Sequence, residues 1–177
     1  VDVDKEKIQK LKEGICPIFE PGLPELLKKN KGLLDFTTDY KKAYQDAEVI
    51  FIAVGTPEKS DGSADLKYVF SVAKQIAQSV KKDTVVVVKS TVPIGTHDKV
   101  KIILDEEIIE KNIAIDIVSN PEFLSQGTAV RDMQNPNRIV IGAENEKSKG
   151  VMEKVYEKFA CPKVFTDCRS AEMIKYA

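Results

Sequence analysis

Residues 49–89 read VIFIAVGTPEKSDGSADLKYVFSVAKQIAQSVKKDTVVVVK, and this stretch decides the fold class. Val49 to Val54 and Thr84 to Lys89 are short runs rich in β-branched residues, which suit strands buried on both faces. Between them, Leu66, Val69, Phe70, Ala73, Ile76, Ala77 and Val80 recur at three- and four-residue steps over Asp65 to Val80. That spacing lays one apolar stripe along a helix whose opposite face is polar. Strand, amphipathic helix, strand is the repeating unit of a parallel sheet covered by helices.

The same alternation runs outward in both directions. Strands are expected at Val1 to Val3, Leu33 to Thr37, Ile115 to Ser119, Arg138 to Gly142 and Lys163 to Thr166. Helices are expected at Lys5 to Glu13, Leu23 to Asn30, Asp39 to Asp46, Thr96 to Lys111 and Glu146 to Phe159, with a last one starting near Arg169. Asp4 is placed to cap the first of these and Gly14 to close it, because a carboxylate satisfies free amides and glycine tolerates the left-handed turn. No internal repeat or low-complexity linker interrupts the pattern. The chain reads as α/β, a doubly wound, mostly parallel, Rossmann-like sheet, and such sheets bind ligands at the carboxyl ends of their strands.

Bulk properties narrow the function classes. Of 177 residues, 42% are hydrophobic and 31% charged, enough to bury a single core. Lys and Arg number 27 against 28 Asp and Glu, so no global field would draw the chain to nucleic acid or to an anionic membrane. The longest apolar runs fall far short of the roughly 20 residues a membrane span requires. Cys16, Cys161 and Cys168 match neither a CxxC pair nor a zinc site, and an odd count argues against a disulfide framework. Reduced thiols in a cytoplasmic protein are the simple expectation. The chain opens on Val1 without a methionine, which reads as a truncation point.

The strand ends carry the candidate chemistry. Asp2 stands where an acid in a dinucleotide fold accepts hydrogen bonds from the adenosine ribose and disfavours a 2′-phosphate, selecting NAD; equally, Asp2 and Asp4 could only cap the next helix. Gly55-Thr56-Pro57 and Lys89 to Thr96 place glycines and hydroxyls at two consecutive strand ends, the second beside a helix amino terminus that favours an anion. A plain turn and an N-cap at Ser90 or Thr96 are the alternatives. In Ser119 to Gly127, Glu122 is followed by Phe123 and Leu124, and an acid held against apolar groups can trade protons near neutrality. A helix-capping glutamate is the competing reading, as a solvated lysine is for Lys175. His97 is the only histidine and reads as a surface residue in a first helical turn, leaving little material for a metal cluster.

Eight collinear segments, at residues 1–8, 17–23, 51–57, 62–66, 89–96, 119–124, 135–142 and 170–177, resemble the UDP-glucose 6-dehydrogenases of the UDP-glucose/GDP-mannose dehydrogenase family. The resemblance implies oxidation of the C6 alcohol of UDP-glucose to a carboxylate with two molecules of NAD, through an aldehyde and a cysteine-bound thioester. It implies that Asp2 and Lys7 hold the adenosine ribose, and that Val54, Thr56, Ser90 and Thr91 line the rest of the cofactor path. Thr91 would also place a catalytic water. Glu122 would be the acid/base residue of thioester hydrolysis, Phe123, Leu124, Ser125 and Gln126 the loop contacting the sugar nucleotide, and Lys175 the cation that stabilises the developing oxyanion.

Some parts of the family pattern differ or are not found. Gln126 stands where the family usually has a second glutamate touching the cofactor. The first strand with its GxGYVG turn is expected before Val1, and an asparagine and the nucleophilic cysteine after Ala177. None of the three cysteines falls in the nucleophile's motif. On this reading residues 1–168 form the NAD-binding domain and residues 169–177 begin a central helix used in a homodimer. GDP-mannose or a UDP-N-acetyl-hexosamine is the alternative substrate, and a non-catalytic nucleotide-binding module the alternative class.

Overall fold

The computed structural model describes all residues from 1 to 177. Helix α1 spans Lys5–Lys12, with the Asp4 carboxylate accepting from the Glu6 and Lys7 amides and Gly14 in the left-handed region at φ +81°. Helices α2 (Leu23–Lys29) and α3 (Tyr40–Gln45) follow, then β1 (Val49–Ile52), α4 (Lys67–Ala77) and β2 (Thr84–Val88). Helix α5 covers Thr96–Glu107, β3 Ile115–Ser119, α6 Ala129–Gln134, β4 Ile139–Ala143, α7 Glu146–Val155, β5 Lys163–Thr166 and α8 Cys168–Ile174.

The five strands form one sheet in the order β1-β2-β3-β4-β5. All neighbours are parallel except β3 and β4, which pair antiparallel with Ser119 opposite Gly142. Strand β2 is buried at every position, as expected of a central strand covered on both faces. On one face Ile50, Ile52, Val86, Val88, Ile115 and Ile117 meet Val69, Ala73 and Ile76 of α4 and Val100 and Leu104 of α5. On the other, Val85, Val87, Val118, Ile139 and Ile141 meet Met152 of α7 and Tyr156. The apolar stripe on α4 is therefore the buried one, and each fully buried aliphatic side chain contributes about 1.5–3 kcal/mol by leaving water.

Helix α8 lies against β4 so closely that a Cβ on Gly142 would come within 2.6 Å of Ala171 Cβ and 2.7 Å of Cys168 Cα. Only glycine permits that approach.

Two expected strands do not form. Val1 to Val3 and Leu33 to Thr37 share one backbone hydrogen bond, Asp2 N to Thr37 O at 3.2 Å, and Lys31–Leu33 turns as a 3-10 helix. A strand requires a neighbour that fills its row of donors and acceptors, and the outer edge of β1 pairs with neither segment. Helix α6 was not expected; it is only six residues long, too short to display a clear periodicity.

Candidate active site

Because β1, β2 and β3 are parallel, their carboxyl ends open on one edge of the sheet. Two turns there are tied together. Ser90 Oγ after β2 donates to Val54 O after β1 at 2.7 Å, and Thr56 Oγ1 donates to Thr91 O at 2.8 Å. Each hydroxyl spends its proton on the opposite turn and keeps lone pairs free, so towards a ligand it acts as an acceptor. Gly55, between Val54 and Thr56, has nothing within 4 Å of where a Cβ would stand, leaving the backbone open to a ligand. The alternative of an N-cap at Ser90 or Thr96 does not hold: Gly95 at φ +82° is the N-cap of α5, and Thr96 Oγ1 turns back to Pro93 O at 2.6 Å.

The turn after β3 is built on Asn120, which is buried. Its amide nitrogen donates to Val140 O at 2.7 Å, and its Oδ1 accepts from Tyr156 Oη at 2.5 Å and from Lys89 Nζ at 3.3 Å. These bonds satisfy the buried amide and fix the direction of the next residues. Glu122 follows, with Oε2 accepting from the Leu124 amide at 2.6 Å and Oε1 3.3 Å from Lys175 Nζ. The same ammonium donates to the Glu122 carbonyl.

The expectation that apolar neighbours enclose Glu122 needs revision. Phe123 is 38% exposed and its ring stacks under two cations, Arg138 at 4.9 Å and Lys175 at 5.3 Å. The carboxylate meets an ammonium and an amide instead, because α8 brings Lys175 across the loop.

Glu122, Phe123 and Leu124 line a cavity of about 280 Å³ with Lys89, Asn120, Asp132, Asn137, Arg138 and Tyr156. Arg138 arrives there because β4 is antiparallel: its amino end reaches the edge where β1 to β3 have their carboxyl ends. Burial pushes the Lys89 ammonium down to about 8, the Glu122 charge opposing that shift and the Lys175 charge adding to it. Ser125 and Gln126 remain exposed. Their loop is anchored from below by the buried Glu20, whose carboxylate accepts from the Gly127 amide at 2.8 Å and the Val130 amide at 3.4 Å.

Asp2 and Lys7 form their own ion pair beside α1, and the hydrogen bond from Lys7 holds the Asp2 carboxyl below its usual range. Sequence reasoning assigned no role to Lys89, Asn120, Arg138, Tyr156 or Glu20. Lys89, Asn120, Arg138 and Glu20 lay inside recognised segments without a role of their own; Tyr156 carried no local signal, since only the tertiary packing brings it in.

His97, expected on the surface, is buried, with Nδ1 3.3 Å from Glu172 and Nε2 3.0 Å from Asp98. Donor atoms of His97, Glu144 and Cys168 lie within 4.8 Å of one another. The Cys168 thiol already donates to Gly142 O at 3.2 Å, and burial pushes it up to about 12.

Parallel strands ending in open glycine and hydroxyl turns, beside a carboxylate and a lysine at the same edge, define a Rossmann-like nucleotide-binding domain. Residues 1–160 match the UDP-glucose/GDP-mannose dehydrogenase family, NAD binding domain, and the chain belongs to that family.

Among its relatives, UDP-glucose 6-dehydrogenase YwqF of Bacillus subtilis is 50% identical over 179 residues, which covers the whole of this chain and 40% of the relative. A solved UDP-glucose dehydrogenase from Pyrobaculum islandicum is 39% identical with a TM-score of 0.92, over 99% of this chain and 41% of that one. GDP-mannose dehydrogenase from Pseudomonas aeruginosa is 38% identical with a TM-score of 0.93, over 99% and 42%. The chain thus spans about 40% of the length of the relatives it matches.

The residues present fit NAD in part. The Asp2 carboxylate, bonded to Lys7 and the Asp4 amide, has acceptor capacity left for ribose hydroxyls, and the Val54 to Thr56 and Ser90 to Thr91 turns offer open backbone and acceptors.

Proposed function

We propose that this chain is the NAD-binding part of a UDP-glucose 6-dehydrogenase, which oxidises the C6 alcohol of the sugar to a carboxylate in a four-electron reaction. The observation that carries the proposal is the Lys175–Glu122 pair at the carboxyl end of β3, at 3.3 Å. Bound NAD supplies the hydride acceptor. Asp2 and Lys7 hold its adenosine ribose, while Val54, Thr56, Ser90, Thr91 and Gln126 line its path.

In the chemical step Lys175 Nζ leaves the Glu122 oxygens for the sugar's C6 oxygen. A fixed cation there stabilises the developing oxyanion more than the ground-state hydroxyl. Glu122, released from that contact, accepts a proton from the hydrolytic water, which Thr91 helps to place. Phe123, Leu124 and Ser125 contact the sugar nucleotide. The thioester step needs a thiol, and none of Cys16, Cys161 or Cys168 lines the Glu122 cavity, so we assign it to the part of the protein that the longer relatives have in addition. Helix α8 would continue into a homodimer contact.

GDP-mannose is the second reading, supported by a family that includes GDP-mannose dehydrogenases and by the 38% identity to one of them. UDP-N-acetyl-hexosamines remain third. The decisive assay follows NADH formation by the full-length protein on UDP-glucose, UDP-N-acetylglucosamine, UDP-N-acetylmannosamine and GDP-mannose side by side. Highest kcat/KM on UDP-glucose is the expected result; preference for GDP-mannose would overturn the substrate assignment, and no turnover on any of the four would leave a non-catalytic nucleotide-binding module.

A further inference from the structure

We infer that Glu172 is a positioning residue, which holds the oxyanion lysine in register with the nucleotide-facing turns; this rests on the role proposed for Lys175. Glu172 lies on α8 three residues before Lys175, so both side chains leave the same face of the helix. It is 3% exposed, and a carboxylate so deeply buried is costly unless its oxygens are fully used. They are. Oε2 accepts from the Gly95 amide at 2.6 Å and Oε1 from the His97 amide at 2.8 Å, and His97 Nδ1 stands 3.3 Å from Oε2.

Those two amides are free donors of the first turn of α5, and an anion is favoured there by the helix dipole. The segment Ser90 to Gly95 joins that turn to β2, so Glu172 binds α8 to the loop that carries Ser90 and Thr91. Ala171 and Cys168 pressed on Gly142 stop α8 from sliding, and the Arg169 guanidinium on Asp98, at 2.7 Å, fixes its outer side. With its first turn held at these points, α8 delivers Lys175 Nζ to Glu122.

Glu172→Gln tests this with almost no change of volume, because an amide has one acceptor oxygen and turns its NH2 towards a backbone donor. The experiment uses the full-length protein and reads kcat and KM in wild-type and Lys175→Ala backgrounds, melting temperature, and the crystal structure of the variant. We expect Glu172→Gln to lower kcat by about tenfold to a hundredfold, with the KM for NAD within about twofold, as misplacing a reacting group does. In the Lys175→Ala background the same change should cost less than about twofold, because its route of action is already gone. The crystal structure should show Lys175 Nζ withdrawn from Glu122.

Equal loss in both backgrounds, or no loss at all, overturns the inference. So does an unmoved Lys175 in the crystal, a readout that holds even if the enzyme acts on none of the four sugars and the functional reading fails. Should Glu172→Gln not fold, His97→Gln, which keeps both backbone contacts, takes its place in the same cycle. The expected losses are then smaller and of the same pattern, and the same two results refute it.

Discussion

Lys89 illustrates how a single residue beside the cavity carries a cost to folding. Its ammonium is held below its ordinary value, at about 8, chiefly by burial. Below pH 8 both the folded and unfolded chains carry the proton, so the penalty is fully present at neutral pH. Between about 8 and 10.5 the folded chain releases it first, and stability rises with pH. Lys89→Met should therefore stabilise the chain at pH 7 by about 1–3 kcal/mol, an advantage that shrinks by pH 10. Urea unfolding at the two pH values measures this, and a gain independent of pH would refute it.

At the same scale, Lys175→Ala in the full-length protein should reduce kcat about 100- to 1,000-fold, the loss typical of an oxyanion donor. Glu122→Gln should cost at least about 100-fold through loss of proton transfer. Steady-state kinetics decide both. The sequence singled out Glu122 by its loop and by resemblance, and Lys175 by resemblance; the contact between them, 53 positions apart, was invisible because it depends on where α8 crosses β3 and β4.

Elements explain the rest of the site. Helix α8 approaches β4 through Gly142, where a methyl group would collide with backbone that has nowhere to go. Gly142→Ala should destabilise the fold by about 2 kcal/mol or more, read from the denaturation midpoint, and an unchanged midpoint would show that α8 can move away. The 125–130 loop depends on Glu20 in a comparable way. Glu20→Ala leaves the Gly127 and Val130 amides without their acceptor, at a cost of about 1–3 kcal/mol. Faster hydrogen exchange confined to that loop is the expected sign. Most elements were legible: α1 with its Asp4 cap, the stripe on α4, and the buried runs of β2 and β3 each announce themselves locally. Val1 to Val3 and Leu33 to Thr37 were not, because strand propensity becomes a strand only when a partner supplies the hydrogen bonds.

At the scale of the molecule, two apolar cores sandwich one sheet, while the β1 edge stays unpaired and Phe51 beside it is 38% exposed. The groups proposed to face the cofactor lie on turns at one end of this body, with Asp2 and Lys7 on a separate segment. Incubated alone with UDP-glucose and NAD, the 177-residue chain should form no UDP-glucuronate, since its most buried thiol is held near 12 and none of its thiols lines the cavity where the thioester would form. The carboxylate product, formed by the isolated chain and detected by mass spectrometry, would contradict the assignment of the nucleophile.

Local pattern alone determined the α/β class, most of the elements, and the strand ends where a ligand would bind, since periodicity and β-branched runs report the burial of each segment. The likeness of eight ordered segments pointed to the family. The tertiary structure decided what pattern cannot carry. It decided that β4 runs antiparallel and brings Arg138 to the Glu122 cavity, that His97 is buried, and that Glu172 ties α8 to α5. These depend on contacts between residues 20 to 77 positions apart, and such contacts are set by sheet register and helix docking rather than by any local run of residues.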